Sequence, residues 1–154
     1  MDSNEFVIRE MTAEDVAVVV KIEKELFSDP WPESLFFEDL RSGNSHPLVV
    51  QHDNVIIGFA VLWVAVDEGH LTNIAVTKNY QRKSVARTLI SYILRLAAGM
   101  KLTQIVLEVR PSNLPAISLY ESFGFEPLAI RKRYYQHPVE DGMIMRKILA
   151  PEQV

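Results

Sequence analysis

Apolar residues recur along this chain with two periods, and the switches between them lay out its elements. Phe6 to Arg9 reads as a short first strand. Thr12-Ala-Glu-Asp15 follows as a helix start, with a hydroxyl cap and acids in the first turn. Val16, Val19, Val20, Ile22 and Leu26 then form the apolar stripe of an amphipathic helix. Asp29-Pro-Trp-Pro32 breaks it, because each proline pushes its predecessor out of the α region. Pro32 opens a second helix through Leu40, which Gly43 ends. Leu48 to Gln51 and Val55 to Val66 are strand-like and flank a hairpin signal, His52-Asp-Asn54. After a second turn, Asp67-Glu-Gly69, His70 to Thr77 makes a third consecutive strand. From Ser84 to Ala98, Val85, Leu89, Ile93, Leu96 and Ala97 recur at helical spacing, and Gly99 sits where a C-terminal cap belongs. Gln104 to Val109 is a strand and Asn113 to Ser122 a helix with Gly124 at its end; Phe125 to Tyr135 and Met143 to Ile148 are a last strand pair. The order β-αα-βββ-α-β-α-ββ predicts a mixed α/β fold. One central sheet of about seven strands carries helices on both faces.

With 154 residues and no repeat, linker or low-complexity tract, the expectation is a single domain over 1–154. Hydrophobic content of 48% and charged content of 23% are ordinary for a soluble protein. The longest apolar runs are too short or interrupted to span a bilayer, so no membrane partner is expected. The acidic, polar start reads as no secretory signal. A net charge of −4 argues against general nucleic-acid binding. The absence of cysteine fits a reducing cytoplasm and excludes a thiol nucleophile, thiolate metal sites and disulfides.

Two stretches carry candidate chemistry. In the first, the apolar run Ile74-Ala75-Val76 leads into a loop crowded with Lys78, Arg82, Lys83 and Arg87, and a helix begins at Ser84. A helix start offers unpaired N–H groups and the positive end of the macrodipole, so cations beside it make a pocket for phosphate or pyrophosphate. In the second, Glu108 sits near the end of a strand, Asn113 caps the next helix with Pro115 in its first turn, and Tyr120 follows. Glu108 as proton acceptor and Tyr120 as proton donor suit a transfer to a weakly acidic nucleophile. Each residue alone also has a plain structural reading. Glu108 shares a strand face with Arg110 and could pair with it; Tyr120 could be a core aromatic. Trp31 could plug the space between the first helices, and Tyr134 and Tyr135 could be strand residues pointing oppositely. His46, His52, His70 and His137 lack metal-ligand spacing and read as structural or surface, and no metal is expected. Glu68 is a candidate second base, with a turn residue the better reading.

Taken together the motifs are specific. Pro30-Trp31, Asn73-Ile-Ala-Val76, Tyr80-Gln-Arg82, Leu107-Glu-Val-Arg110, Ser112-Asn113, Ala116-Ile117, Leu119-Tyr-Glu-Ser122, Gly124-Phe125 and Tyr134-Tyr135 stand in order over nearly the whole chain. In this the chain resembles GNAT-superfamily acetyltransferases, and more narrowly the RimI-type ribosomal-protein N-terminal alanine acetyltransferases. The resemblance implies acetyl-CoA as donor and a protein N-terminal peptide as acceptor, possibly of a ribosomal protein, with direct transfer in a ternary complex. It implies cofactor contacts from Ile74, Ala75 and Val76, from Arg82, Lys83, Ser84, Val85, Ala86 and Arg87, and from Asn113. It makes Glu108 the general base and Tyr120 the general acid. Trp31, Tyr134 and Tyr135 would flank the acceptor. The chemistry agrees: an α-amine, pKa ~7.7–8.0, needs less help to deprotonate than a lysine at ~10.4. Ser84 stands where the resembled loop carries its first glycine, and fits if its φ is negative. The sequence leaves two other readings open: acetylation of a lysine or small amine, and a CoA-binding module with weak catalysis.

Overall fold

A computed structural model describes residues 5–82 and 84–149. The acidic start at residues 1–4, the expected cofactor residue Lys83, and residues 150–154 lie outside the described residues. Seven strands form one sheet in the order β1-β2-β3-β4-β5-β7-β6. β1 (Val7–Glu10), β2 (Ser45–His52), β3 (Val55–Ala65) and β4 (Glu68–Val76) are an antiparallel series. β4 runs parallel to β5 (Gln104–Val109), and β7 (Val139–Ile148) and β6 (Glu126–Gln136) complete the sheet antiparallel. Helices α1 (Val16–Leu26) and α2 (Glu33–Arg41) link β1 to β2. Helix α3 (Val85–Gly99) links β4 to β5, and α4 (Leu114–Ser122) links β5 to β6. The expected order of elements is the one adopted.

Alternation along the strands sends apolar side chains to both faces, and helices cover both. Val49, Phe59 and Ala75 pack with Val16, Val19 and Val20 of α1 and Phe36 of α2. On the other face Leu48, Val50, Leu62, Leu71, Leu107 and Val109 pack with Leu89, Ile90 and Ile93 of α3 and Tyr120 of α4. The β2–β3 turn is Asp53-Asn54, both at positive φ (53° and 66°), as a tight two-residue hairpin requires. Two local expectations are corrected. Thr12 introduces a single 3₁₀ turn, Ala13–Asp15, before α1; the Asp15 carboxylate accepts from the Thr12 N–H at 2.7 Å. Gly99 is the last helical residue of α3 and not its cap; Lys101 takes the left-handed position beyond, at φ 60°.

The feature that matters for function is a parting in the middle of the sheet. β4 and β5 pair from Glu68↔Gln104 to Leu71↔Leu107 and no further, although the strands run on to Val76 and Val109. The cause is visible in β4. Leu62 faces Leu71 and Val61 faces Asn73, so Thr72 is an extra, bulged residue. A bulge bends and twists its strand, which turns residues 73–76 away from β5.

Candidate functional site

The parting exposes backbone. Thr77 N–H donates to the Ile57 carbonyl at 2.9 Å. Polar groups alternate along an antiparallel strand, so Asn73 and Ala75 also face β3, while Ile74 and Val76 turn theirs to the gap. The Val76 carbonyl takes Gln81 Nε2 at 3.0 Å. Tyr80 is fixed by a 2.8 Å hydrogen bond between its hydroxyl and His52 Nδ1. These two anchors hold the loop that enters α3. Within it Arg82 and Ser84 lie at φ 64° and 69°. Ser84 therefore does not have the negative φ that would make it an easy substitute for glycine; it sits strained in the left-handed region. Left-handed Ser84 followed by helical Val85 forms a nest, whose successive N–H groups converge on one point at the N-terminus of α3. Val85 and Val76 are buried, so only their backbone can face the gap; Ala75, expected at the cofactor, is buried too and turns its backbone to β3. The Arg82 side chain is exposed. Arg87 is directed elsewhere: its guanidinium donates to Ser122 Oγ at 3.0 Å and lies 5.1 Å from the centre of the Phe123 ring. Asn113 caps α4, its Oδ1 accepting from the Ala116 N–H at 3.3 Å.

Glu108 is the first residue of β5 past the parting. Its neighbours Leu107 and Val109 enter the α3 side core, so Glu108 points to the α1/α2 face. There Oε1 lies 2.8 Å from His70 Nε2, the carboxylate side chain only 10% exposed and the imidazole 35%. His70, read as structural or surface, is the hydrogen-bond partner of Glu108. Arg110 pairs instead with Glu140, at 3.2 Å. Tyr120 lies on the opposite face among the α3/α4 core residues, its ring 5.9 Å from that of Phe125. Burial pushes its phenol up to about 12, and its hydroxyl has no hydrogen-bond partner among the described residues. Base and acid candidates therefore flank the sheet from opposite sides.

Tyr134 and Tyr135 do not point oppositely. Between Arg131↔Gly142 and Tyr135↔Glu140, β6 carries extra residues, with Arg133 at φ 51°. That irregularity breaks the alternation, and the rings meet edge to face, 4.9 Å apart. A Cβ at Gly142 would lie 2.9 Å from Tyr134 Cβ, so only glycine leaves room for that ring. Arg110 lies 4.3 Å from the Tyr135 ring centre and Arg131 4.5 Å from that of Tyr134. Burial, then the Tyr134 and Glu108 charges, push the Tyr135 phenol up to about 12; Tyr134 is raised by burial and by Glu108. Both tyrosines thus lie within reach of the Glu108 charge. Across from them runs the α1–α2 connection. Trp31 packs its ring 5.6 Å from Phe36, and its backbone N–H donates to Glu23 Oε2 at 2.9 Å. Ser28 Oγ donates to the His137 carbonyl, and Asp29 Oδ1 meets His137 Nδ1 at 2.6 Å, so this connection is tied to the β6–β7 turn.

The profile of the Acetyltransferase (GNAT) family matches residues 16–125. A Salmonella typhimurium (strain LT2) protein named [ribosomal protein bS18]-alanine N-acetyltransferase is 34% identical over 138 residues, covering 88% of this chain and 92% of its own. The Saccharolobus solfataricus N-alpha-acetyltransferase is 30% identical, covering 94% of each chain. The crystal structure of the ribosomal-protein-S18-alanine N-acetyltransferase from Escherichia coli superposes with a TM-score of 0.90 at 30% identity, over 97% of both chains. The chain belongs to the GNAT acetyltransferase family. It is an N-acetyltransferase, and its sheet, parted between β4 and β5, is the GNAT fold. Among the described residues of this GNAT enzyme no group of three metal-ligating side chains occurs, and no helix is long and apolar enough to cross a membrane. Glu68, read as a turn residue, is instead the first residue of β4, paired with Gln104 and bonded to its Nε2; the turn is Val66-Asp67. Three residues escaped the sequence reading. His70 had a usable signal, since parallel pairing of β4 with β5 brings it beside Glu108. Gln81 and Glu23 had none, because their bonds to Val76 and Asn73 depend on the folded loops.

Proposed function

We propose that this enzyme transfers an acetyl group from acetyl-CoA to the α-amine of a protein N-terminus, an alanine-initiated ribosomal protein being the favoured acceptor, in the cytoplasm. The observation that carries the reading is the parting of β4 from β5, with the Glu108–His70 pair at its mouth. The residues present fit the donor. The gap-facing backbone of Ile74 and Val76 can pair with the amides of an extended pantetheine arm, as a strand would. The nest at Ser84 and Val85, with Ala86 and the cation Arg82, offers donors and positive charge to a pyrophosphate. Asn113 lies at the start of α4, and Lys83, next to Arg82 in the sequence, is a further cation expected for the pyrophosphate. Acetyl-CoA supplies the activated thioester.

The chain's own groups do the rest. Trp31, Tyr134 and Tyr135 flank the acceptor and hold its α-amine toward Glu108. Glu108, bridged to His70, accepts the ammonium proton, so that the amine presents its lone pair. N–H groups at the gap stabilise the negative charge that develops on the acyl oxygen. As the C–N bond forms and the C–S bond breaks, the nitrogen's second proton passes to the departing sulfur, to which Tyr120 donates a hydrogen bond. With its phenol near 12 against a thiol at ~8.5, the proton rests on oxygen, so this donor stabilises the thiolate.

The test is release of free thiol from acetyl-CoA over a panel of N-terminal peptides, with lysine-only peptides and small polyamines as controls. Turnover of alanine-initiated peptides with little on the controls is expected. Turnover confined to polyamines or lysines would replace the acceptor assignment. Tight CoA binding without thiol release would leave a binding module.

A further inference from the structure

Glu23 is a buried carboxylate that the transfer chemistry does not use. It lies on the sheet-facing side of α1 among Val16, Val19, Val20 and Ile22, and is 2% exposed. No lysine or arginine pairs with it among the described residues. Asp15, at the other end of α1, is different: Arg9 grips it with two hydrogen bonds of 2.7 and 2.9 Å and holds it down to about 2. Burial pushes Glu23 the other way. Burying a carboxylate with no cation beside it is costly, and hydrogen bonds must offset that cost.

What Glu23 does have is two donors from two halves of the site. Oε2 accepts from the backbone N–H of Trp31 at 2.9 Å, and Oε1 from Asn73 Nδ2 at 2.9 Å. Trp31 belongs to the connection that borders the acceptor. Asn73 is the residue that resumes pairing after the Thr72 bulge, and it heads the stretch whose backbone lines the gap. One carboxylate therefore spans acceptor side and donor side, using one oxygen for each. We infer that Glu23 is a positioning residue: it fixes the acceptor loop against β4, so that the amine meets the thioester at the height of Glu108. The inference rests on the acetyl-transfer reading above and adds to it the residue that sets the two substrates' relative placement.

The variants E23L and E23Q separate this role from general stability. E23L fills similar volume and removes both hydrogen bonds. E23Q keeps both, once the Asn73 amide turns its oxygen to the new NH2 group. In thiol-release assays with an alanine-initiated peptide, E23L should raise the peptide KM about tenfold and lower kcat, since small misplacements are costly in transfer reactions. The KM for acetyl-CoA should stay within about twofold, and the Tm should fall in E23L, since the Trp31 N–H and the Asn73 amide lose their acceptor; the separation from a general loss of stability is the rise of peptide KM without one for acetyl-CoA. E23Q should remain close to the parent enzyme. Parent-like peptide kinetics in E23L, or equal impairment of E23L and E23Q, would overturn the inference. Should E23L lack a cooperative melt, N73A cuts the same link from the strand side, and an unchanged peptide KM there would overturn it as well. Parent enzyme that acetylates only lysine or polyamine controls would refute the N-terminal acceptor instead, and the same variants would then be compared on that acceptor.

Discussion

The two sides of the gap are built from different materials. The side proposed for the donor is mostly main chain: the gap-facing groups of Ile74 and Val76, and the nest at Ser84 and Val85. The side proposed for the acceptor is mostly side chain: Glu108 on His70, Arg110 on Glu140 and Tyr135, Glu23 on Trp31, Asp29 on His137. A backbone site tolerates substitution provided the dihedral angles survive. A site of linked side chains is sensitive to each member. The contrast teaches that donor binding should be a property of the fold and acceptor choice a property of particular residues.

The contrast can be broken most sharply at Glu108. E108Q should lower kcat about a hundredfold or more near neutral pH. The deficit should shrink above the α-amine pKa of ~7.7–8.0, where the acceptor sheds its own proton. A pH-independent deficit would make Glu108 a structural member of the pair. Y120F removes a hydrogen bond to developing charge, and a loss of about tenfold to a hundredfold in kcat is expected, with peptide KM little changed. A loss confined to peptide KM would move Tyr120 to the acceptor side. H137A unties the exposed bridge to Asp29. Such pairs are worth ~1 kcal/mol at most, so peptide KM should rise by less than about fivefold. A fall would show that the bridge obstructs entry. The smallest effect belongs to the donor side. S84G relieves a left-handed serine and should lower the KM for acetyl-CoA about two- to fivefold without touching peptide KM. No change would mean the loop absorbs the strain.

The same division decides what was legible beforehand. The element order followed from apolar periodicity, because both faces of the sheet are covered and each strand had to be apolar enough to bury. Glu108 and Tyr120 could be placed within their elements, near the end of a strand and along a helix, and their roles came from the family resemblance. The bulges were not visible. Nothing in Leu71-Thr72-Asn73 announces that Thr72 drops out of register, yet that slip produces the gap. Nor does Arg131 to Tyr135 announce the irregularity that brings both tyrosines to one side. The φ of Ser84 could be posed as a question but not answered, since serine is rare in that region and local sequence does not force it there. Contacts between distant loops, such as Asp29 with His137, depend on the assembled sheet.

A hydrogen-bonded ladder interrupted at its centre leaves this protein with two half-ladders, joined by four paired residues and a shared core. An elongated guest lying in the breach would act as a missing rung, so saturation with donor should raise the unfolding temperature. At a hundredfold excess over Kd the gain is ~2.7 kcal/mol. Amide deuteration at Ile74 should slow in step with it, which makes the free enzyme the more pliable form and the laden one the fully stitched sheet.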